Sequence, residues 1–261
     1  MAFSRTYDGS EPIRVNKWLA QAGVCSRREA EGLIADGLVS IDGETVGDVG
    51  RKILPGQTLT LQAGGQAALE ARVTVVVNKP VGYVSAQPEG EQVPAARLVR
   101  PAAQWGPAGA VPSARLSLAP AGRLDMDSRG LLLLTDDGVL VKAVIGPASM
   151  LEKEYFVEVR GEVTADKVRL LRQGLELDGR QLRPAKVVEV SPGRLRFVLT
   201  EGRNRQIRRM CELVGLEVAD LIRTRIGPLA LGDLPEGRWR LLGAEERAAL
   251  IAASTTGAGQ S

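Results

Sequence analysis

Four consecutive leucines, Leu131 to Leu134, constrain this chain more than any other feature: the stretch "AGRLDMDSRGLLLLTDDG" spans residues 121–138. A run with no polar position has no face to offer water, and four residues closed by a turn-forming Asp-Asp-Gly are too few for a helix. It reads as a buried strand, with Arg123, Asp125 and Asp127 held at its entrance. Charged residues packed that close to an apolar strand are either a structural network or a site.

The chemistry open to such a site is narrowed by a missing residue type. The 261 residues include no histidine. That removes the commonest general base, the commonest transition-metal ligand and every Ser-His or Cys-His nucleophile. Carboxylates, Tyr, Lys, Arg or an oxygen-held metal remain. Cys25 and Cys211 sit in helix-like segments without CxxC spacing and read as small buried hydrophobes. The net charge of +3 is uninformative, but cations gather at 14–28, 194–209 and 223–225, as on a surface that meets a polyanion. With no long apolar span and no signal-like leader, a cytoplasmic location is expected.

Residues 12–62 form a small unit. "IRVNKWLAQAG" places Val15, Trp18, Leu19 and Ala22 at helical spacing, and "CSRREAEGLIADG" supplies Ser26 as N-cap with Glu29 completing a capping box. Short strands follow around an Asp42-Gly43 hairpin turn and a Pro55-Gly56 turn. Residues 63–72, rich in Ala, Gly and Gln, are expected to be an irregular linker. A second domain over 73–250 mixes strands and helices without βαβ repetition, which makes the chain α+β with a mainly antiparallel sheet. The Ala/Pro/Gly-rich segment 101–118 is expected as a surface insertion, and 251–261 as a disordered tail.

Two helix starts break a local rule. Helix N-termini carry partial positive charge, yet Arg27 and Arg28 follow the Ser26 cap, and Arg205, Arg208 and Arg209 follow an expected Asn204 cap. Ile207, Met210, Cys211 and Val214 mark the buried face of the latter helix, leaving the three arginines together on the other side. They should repel unless an anion lies among them, either phosphate or a buried carboxylate.

For Asp125, three readings stand side by side. It caps a turn and bridges Arg123 or Arg129; or "DMDSRG" begins a calcium loop, in which Arg129 would occupy a ligand position; or it is a catalytic carboxylate ionised by a nearby arginine.

These residues are also similar to a known family. "GRLDMDSRGLLLLTDDG", "EKEYFVEV" and "EGRNRQIRRMCELVG" resemble, in order, the three motifs of the RsuA/RluB/RluE/RluF branch of pseudouridine synthases. "SRREAEGLIADGLVSIDG" resembles the alpha-L RNA-binding domain first described in a small-subunit ribosomal protein. Within the branch, "AGVCSRREA", "LEKEY" and "NRQIRRMCE" are most similar to RluF members. The resemblance implies an isomerase that detaches uracil from ribose C1′, turns it and rejoins it through C5, without cofactor or metal. By the same resemblance Asp125 is the catalytic aspartate, acting as nucleophile or as base, and Tyr155 packs on the target uracil. Arg208 would pair with Asp125, and Arg123 would fill the space of the flipped nucleotide. Lys17, Arg27, Arg28, Arg205 and Arg209 are expected to face RNA, and Lys79 to face RNA or to serve the structure. The partner implied is large-subunit ribosomal RNA, with the anticodon loop of tyrosine tRNA as a second substrate; the alternatives are an RluB-, RluE- or RsuA-like synthase for another ribosomal uridine, or a non-catalytic RNA-binding protein of ribosome assembly. A monomer is expected, with no membrane association. The segment 101–118 and the lack of a long basic C-terminal tail depart from RluF-like chains.

Overall fold

The computed structural model describes residues 3–106, 111–113 and 118–256. Residues 107–110 and 114–117 of the expected insertion and 257–261 of the expected tail lie outside the described residues.

The N-terminal unit packs two helices, Val15–Gln21 and Arg27–Ala35, on a four-stranded sheet in the order Ser4–Thr6, Thr58–Leu61, Val39–Ile41, Glu44–Thr45. Trp18, Leu19, Leu33 and Ile34 from the helices meet Ile41, Leu59 and Leu61 from the strands in one core. The Ser26 capping box is formed: the Ser26 amide donates to Glu29 Oε2 at 2.6 Å, and the Glu29 amide donates to Ser26 Oγ at 3.3 Å. The hairpin turn has positive φ at both Asp42 (50°) and Gly43 (86°), the backbone that an Asp-Gly pair tolerates best. The strand Ser4–Thr6, which pairs with Thr58–Leu61, extends this unit ahead of residue 12.

Residues expected as an irregular linker form a helix, Ala63–Glu70. Alanine, Gln, Leu and Glu outweigh two glycines in helix propensity, and the glycines have a use. A Cβ on Gly64 or Gly65 would stand 3.1 or 3.3 Å from Leu38, so the helix lies close against the first unit because it is thin there.

A sheet with nine strands among the described residues organises the remainder. Its path runs Lys186–Ser191, Arg194–Leu199, Lys153–Arg160, Glu217–Ile226, Arg129–Thr135, Thr74–Lys79, Trp239–Leu241, with Ala119–Pro120 and Leu229–Ala230 paired at the side. Neighbours are antiparallel except Arg129–Thr135 and Glu217–Ile226, which run parallel. The four leucines lie in the middle of this sheet. Leu132 and Leu134 enter the core roofed by helices Ala165–Gln173 and Gln206–Leu213; Leu131 and Leu133 enter a second core, beneath helices Gly138–Ile145 and Ala244–Thr256. With a hydrophobic core on each face, neither set of side chains can be polar. The last helix also corrects the expected tail, since residues 251–256 belong to it. Part of the expected insertion is anchored as well: the Trp105 amide donates to Trp239 O at 2.8 Å, Trp239 Nε1 donates to Arg100 O at 2.9 Å, and Ala103 is buried.

The two units meet across a charged contact. Arg72 places Nε 2.9 Å from Glu29 Oε1 and Nη1 3.2 Å from Asp137 Oδ1, and its Nη2 donates to Val24 O at 3.2 Å. Asp137 in turn caps helix Gly138–Ile145 and holds Arg247 at 2.6 Å. Burial alone would raise the Asp137 carboxyl, but Arg247, the Leu140 amide and Arg72 together hold it below the usual carboxylate range. Next to it, Gly138 touches the first unit so closely that a Cβ would collide with Ser26 and stand 2.6 Å from Glu29 Oε2.

Candidate active site

The loop 121–128 joins two strands of the large sheet and is tied down along its length. Gly122 and Gly130 flank it with φ of 93° and 104°. At Gly130 a Cβ would strike the Arg223 carbonyl and stand 2.8 Å from the Arg223 amide, so only glycine allows this approach of the two parallel strands. The Arg223 side chain, 1 % exposed, then donates to three carbonyls: Nε to Leu131 O at 2.8 Å, Nη1 to Arg123 O at 3.3 Å and Nη2 to Gly122 O at 3.2 Å. Ser85 grips the next residue, donating to Leu124 O at 2.6 Å and accepting from the Leu124 amide at 2.8 Å. A turn closed by the Ser128 amide on Asp125 O at 3.1 Å completes the loop.

This loop forms one wall of a cavity of about 360 Å³ that Arg123, Asp125, Tyr155, Arg205 and Arg208 all line. Five of the residues expected at the site from sequence therefore share one space. Among the described residues no group donates a hydrogen bond to the Asp125 carboxylate, which leaves both oxygens for whatever enters. Tyr155 comes from strand Lys153–Arg160, is buried, and stands directly opposite Arg223 on the neighbouring strand.

Arg208 is placed differently from the expected pairing. It reaches Asp127: Nη2 donates to Asp127 O at 2.7 Å and Nε lies 3.3 Å from Asp127 Oδ2, while Nη1 donates to Val218 O at 3.2 Å. Arg205 comes to the same carboxylate at 3.0 Å. Burial opposes ionisation of Asp127, but the Arg205 hydrogen bond and the Arg208 charge outweigh it and hold the carboxyl below its ordinary range. The expected repulsion among the arginines is thus relieved by carboxylates, since Arg209 turns outward to Asp178 at 2.6 and 2.9 Å. A calcium loop is not met, because Asp127 is engaged by two guanidiniums.

Two further expectations change. Helix Gln206–Leu213 begins after Arg205, which occupies the N-cap position in the left-handed region at φ 48° and makes no side-chain cap; Asn204 does not cap it. Lys79 does not face a surface. It is fully buried, and its ammonium donates to Pro80 O and Tyr83 O, both at 2.8 Å. Burial lowers its pKa to about 8, against the opposing pull of Asp125 and Asp127. Arg209 pairs with Asp178, stays partly exposed and does not line the cavity. Lys17, Arg27 and Arg28 are exposed on the N-terminal unit.

Lys153, in the cavity wall, escaped the sequence reading, and Arg223, counted there among surface cations, is buried in the same wall. The signal was present as strand alternation: "KEYFVEV" puts Lys153 on the same inward face as Tyr155 and Val157, and "LIRTRI" puts Arg223 on that of Leu221.

Comparisons with known proteins agree with this arrangement. Residues 73–213 match the family described as RNA pseudouridylate synthase, and residues 13–59 match the S4 domain. The dual-specificity RNA pseudouridine synthase RluF of Escherichia coli (strain K12) is 36% identical over 238 residues, spanning 90% of this chain and 77% of that protein. An uncharacterized RNA pseudouridine synthase of Mycobacterium bovis is 36% identical over 247 residues, covering 90% of this chain and 91% of the relative. A solved crystal structure of a pseudouridylate synthase superposes with a TM-score of 0.63 at 28% identity, over 91% of this chain and 99% of that one. Fold, RNA-binding module and cavity together define an RNA-modifying isomerase. The chain belongs to the pseudouridine synthase family and has an S4 module ahead of its synthase domain.

Proposed function

We propose that this enzyme isomerises a uridine of large-subunit ribosomal RNA and accepts the anticodon loop of tyrosine tRNA as a second substrate. The reading of substrate rests on similarity to a relative named as dual-specificity, over 90% of the chain. The reading of the site rests on one geometric observation: Asp125 and Tyr155 line a single cavity, and the Asp125 carboxylate has no hydrogen-bond donor among the described residues. In this account Asp125 attacks C1′ or starts glycal formation, and Tyr155 packs on the uracil. Arg123, exposed at the cavity edge, takes the place of the extruded nucleotide, whose removal from the stack costs a few kcal/mol. Arg208 acts one step away by fixing Asp127 and with it the loop that presents Asp125.

The N-terminal module would hold structured RNA through its phosphates, with Lys17, Arg27 and Arg28 as contacts, while the cavity takes one base. A cytoplasmic monomer with units at 12–62 and 73–250 fits this reading. The test uses ribosomal RNA and tyrosine tRNA tritiated at uridine C5, with wild type and Asp125→Ala in parallel. Release by wild type alone supports the isomerase role of Asp125, and the responding RNA assigns the substrate. Release from neither RNA, nor from assembling ribosomal particles, overturns the substrate reading.

A further inference from the structure

Side chains of both signs line the cavity. Asp125 stands on the loop, and Lys153 lies on the strand that also carries Tyr155. Lys153 is 7 % exposed, and its ammonium makes one hydrogen bond, to Leu151 O at 3.3 Å. Glutamates flank it on both sides yet neither serves it. Glu152 pairs with Lys186 at 2.7 Å and Arg225 at 3.3 Å, and Glu154 accepts from Thr224 at 3.0 Å, with Arg196 at 3.7 Å. Burial lowers the lysine pKa to about 8, and the charged group that adds to this is another buried cation, Arg223. Two buried cations side by side, neither with an ion-pair partner among the described residues, are costly unless an anion joins them.

The family's reaction produces such an anion. When C1′–N1 breaks, the bonding pair leaves with the base and spreads over N1, O2 and O4, while positive charge develops at C1′. That change calls for both a carboxylate and an ammonium, and Asp125 and Lys153 line the same cavity. Lys153 and Tyr155 are two residues apart on one strand face, about 7 Å along the strand, so a ring stacked on Tyr155 lies within reach of the Lys153 side chain. Building on the assignment of Asp125 and Tyr155 above, we propose that Lys153 is a catalytic residue that holds the departing uracil as an anion by charge and hydrogen bonding. No net proton transfer is required of it: the pair returns to carbon when C5 bonds to C1′, the C5 proton is lost, and N1 gains one. The assignment stands whether Asp125 acts as nucleophile or as base, because the base leaves with the electron pair in both. Electrostatic groups aimed at developing charge accelerate the step without tightening ground-state binding.

The test is single-turnover isomerisation by Lys153→Met, close in shape and free of charge, and by Lys153→Arg, on an RNA that wild type converts. For Lys153→Met the expected result is a fall of roughly 100-fold in rate constant, RNA Kd within about 2-fold, and a melting temperature unchanged or raised. Lys153→Arg should retain part of the rate. With 5-fluorouridine at the target position, followed as loss of the C1′–N1 bond because fluorine cannot leave C5 as a proton does, the better leaving group should shrink the deficit of Lys153→Met; a purely structural lysine would give equal deficits on both RNAs. Turnover by Lys153→Met within about 3-fold of wild type overturns the proposal while leaving the substrate reading intact. If Lys153→Met fails to fold, Lys153→Gln replaces it, and the fluorouridine comparison decides in the same way. Absence of turnover by wild type on every RNA instead removes the reading on which the proposal rests.

Discussion

Arg208 and Asp127 form the ion pair beside the Asp125 loop, with the Arg208 Nη2 hydrogen bond to the Asp127 carbonyl at 2.7 Å and Nε 3.3 Å from the carboxylate. One guanidinium therefore holds both the backbone and the side chain of the residue two places beyond Asp125. Asp127→Asn should leave Arg205 and Arg208 without their shared anion and loosen that loop. Turnover is expected to fall about 10-fold, against complete loss for Asp125→Asn. Because the Asp127 side chain is 43% exposed, the stability cost should be only about 1 kcal/mol in urea denaturation. Equal loss of activity in the two variants would show that Asp127 does more than support.

At the contact between the units, Gly138→Ala should force Ser26 and Glu29 away, with an overpacking cost of about 1–3 kcal/mol. Gly32 offers the control, since a Cβ there meets nothing within 4 Å and the residue lies inside helix Arg27–Ala35. Gly32→Ala should stabilise by roughly 0.5–1 kcal/mol. Thermal melts of both variants, with small-angle scattering for the separation of the units, give the comparison. A Gly138→Ala protein that melts and scatters like wild type would mean the contact yields at no cost.

Stability should also respond to alkaline pH. Lys79 and Lys153 have pKa values lowered from 10.5 to about 8, so the unfolded chain binds more protons than the folded one between those values, and stability rises with pH there. Cys25 and Cys211, raised from 9.0 to about 12 chiefly by burial, act the other way above pH 9, where the unfolded thiols ionise and the folded ones do not. The net expectation is a gain of roughly 1 kcal/mol from pH 8 to 9 and a plateau above, followed by urea titration. Lys79→Met combined with Lys153→Met should abolish the gain and leave only the decline.

How much of this could be read in the sequence depends on whether the deciding information was local. The capping box, the Asp-Gly hairpin and the leucine strand were legible because each is set within a few residues. Helix Ala63–Glu70 was missed because Gly64 and Gly65 resemble linker residues until Leu38, distant in sequence, is seen to need the space. The gathering of Asp125, Tyr155 and Arg208 at one cavity was expected, but the partner of Arg208 was not. Asp125 and Asp127 lie on one short loop, and which carboxylate a guanidinium meets depends on backbone direction there. For Lys79 an RNA-facing and a structural role were both open, because strand Thr74–Lys79 is buried at every position and so has no alternation to show which way the lysine turns.

Binding to the RNA that the enzyme converts should weaken steeply with salt. Arg27→Ala and Arg28→Ala are each expected to flatten the log–log slope by about 0.7–0.9 if each neutralises one phosphate, with the single-turnover rate at saturating enzyme unchanged. Filter binding between low and physiological salt measures this. An unchanged slope would place the N-terminal contacts elsewhere on the module.

Arg223 reaches three carbonyls around the cavity. Its backbone abuts Gly130 and its side chain holds the carbonyls of Gly122, Arg123 and Leu131, so both ends of the segment that presents Asp125 hang from one peg on the neighbouring strand. A loop suspended this way has little slack. It moves with strand Glu217–Ile226 as a rigid handle, so substitutions buried in that strand, remote from any base, should be felt as misalignment of the carboxylate before they are felt as unfolding.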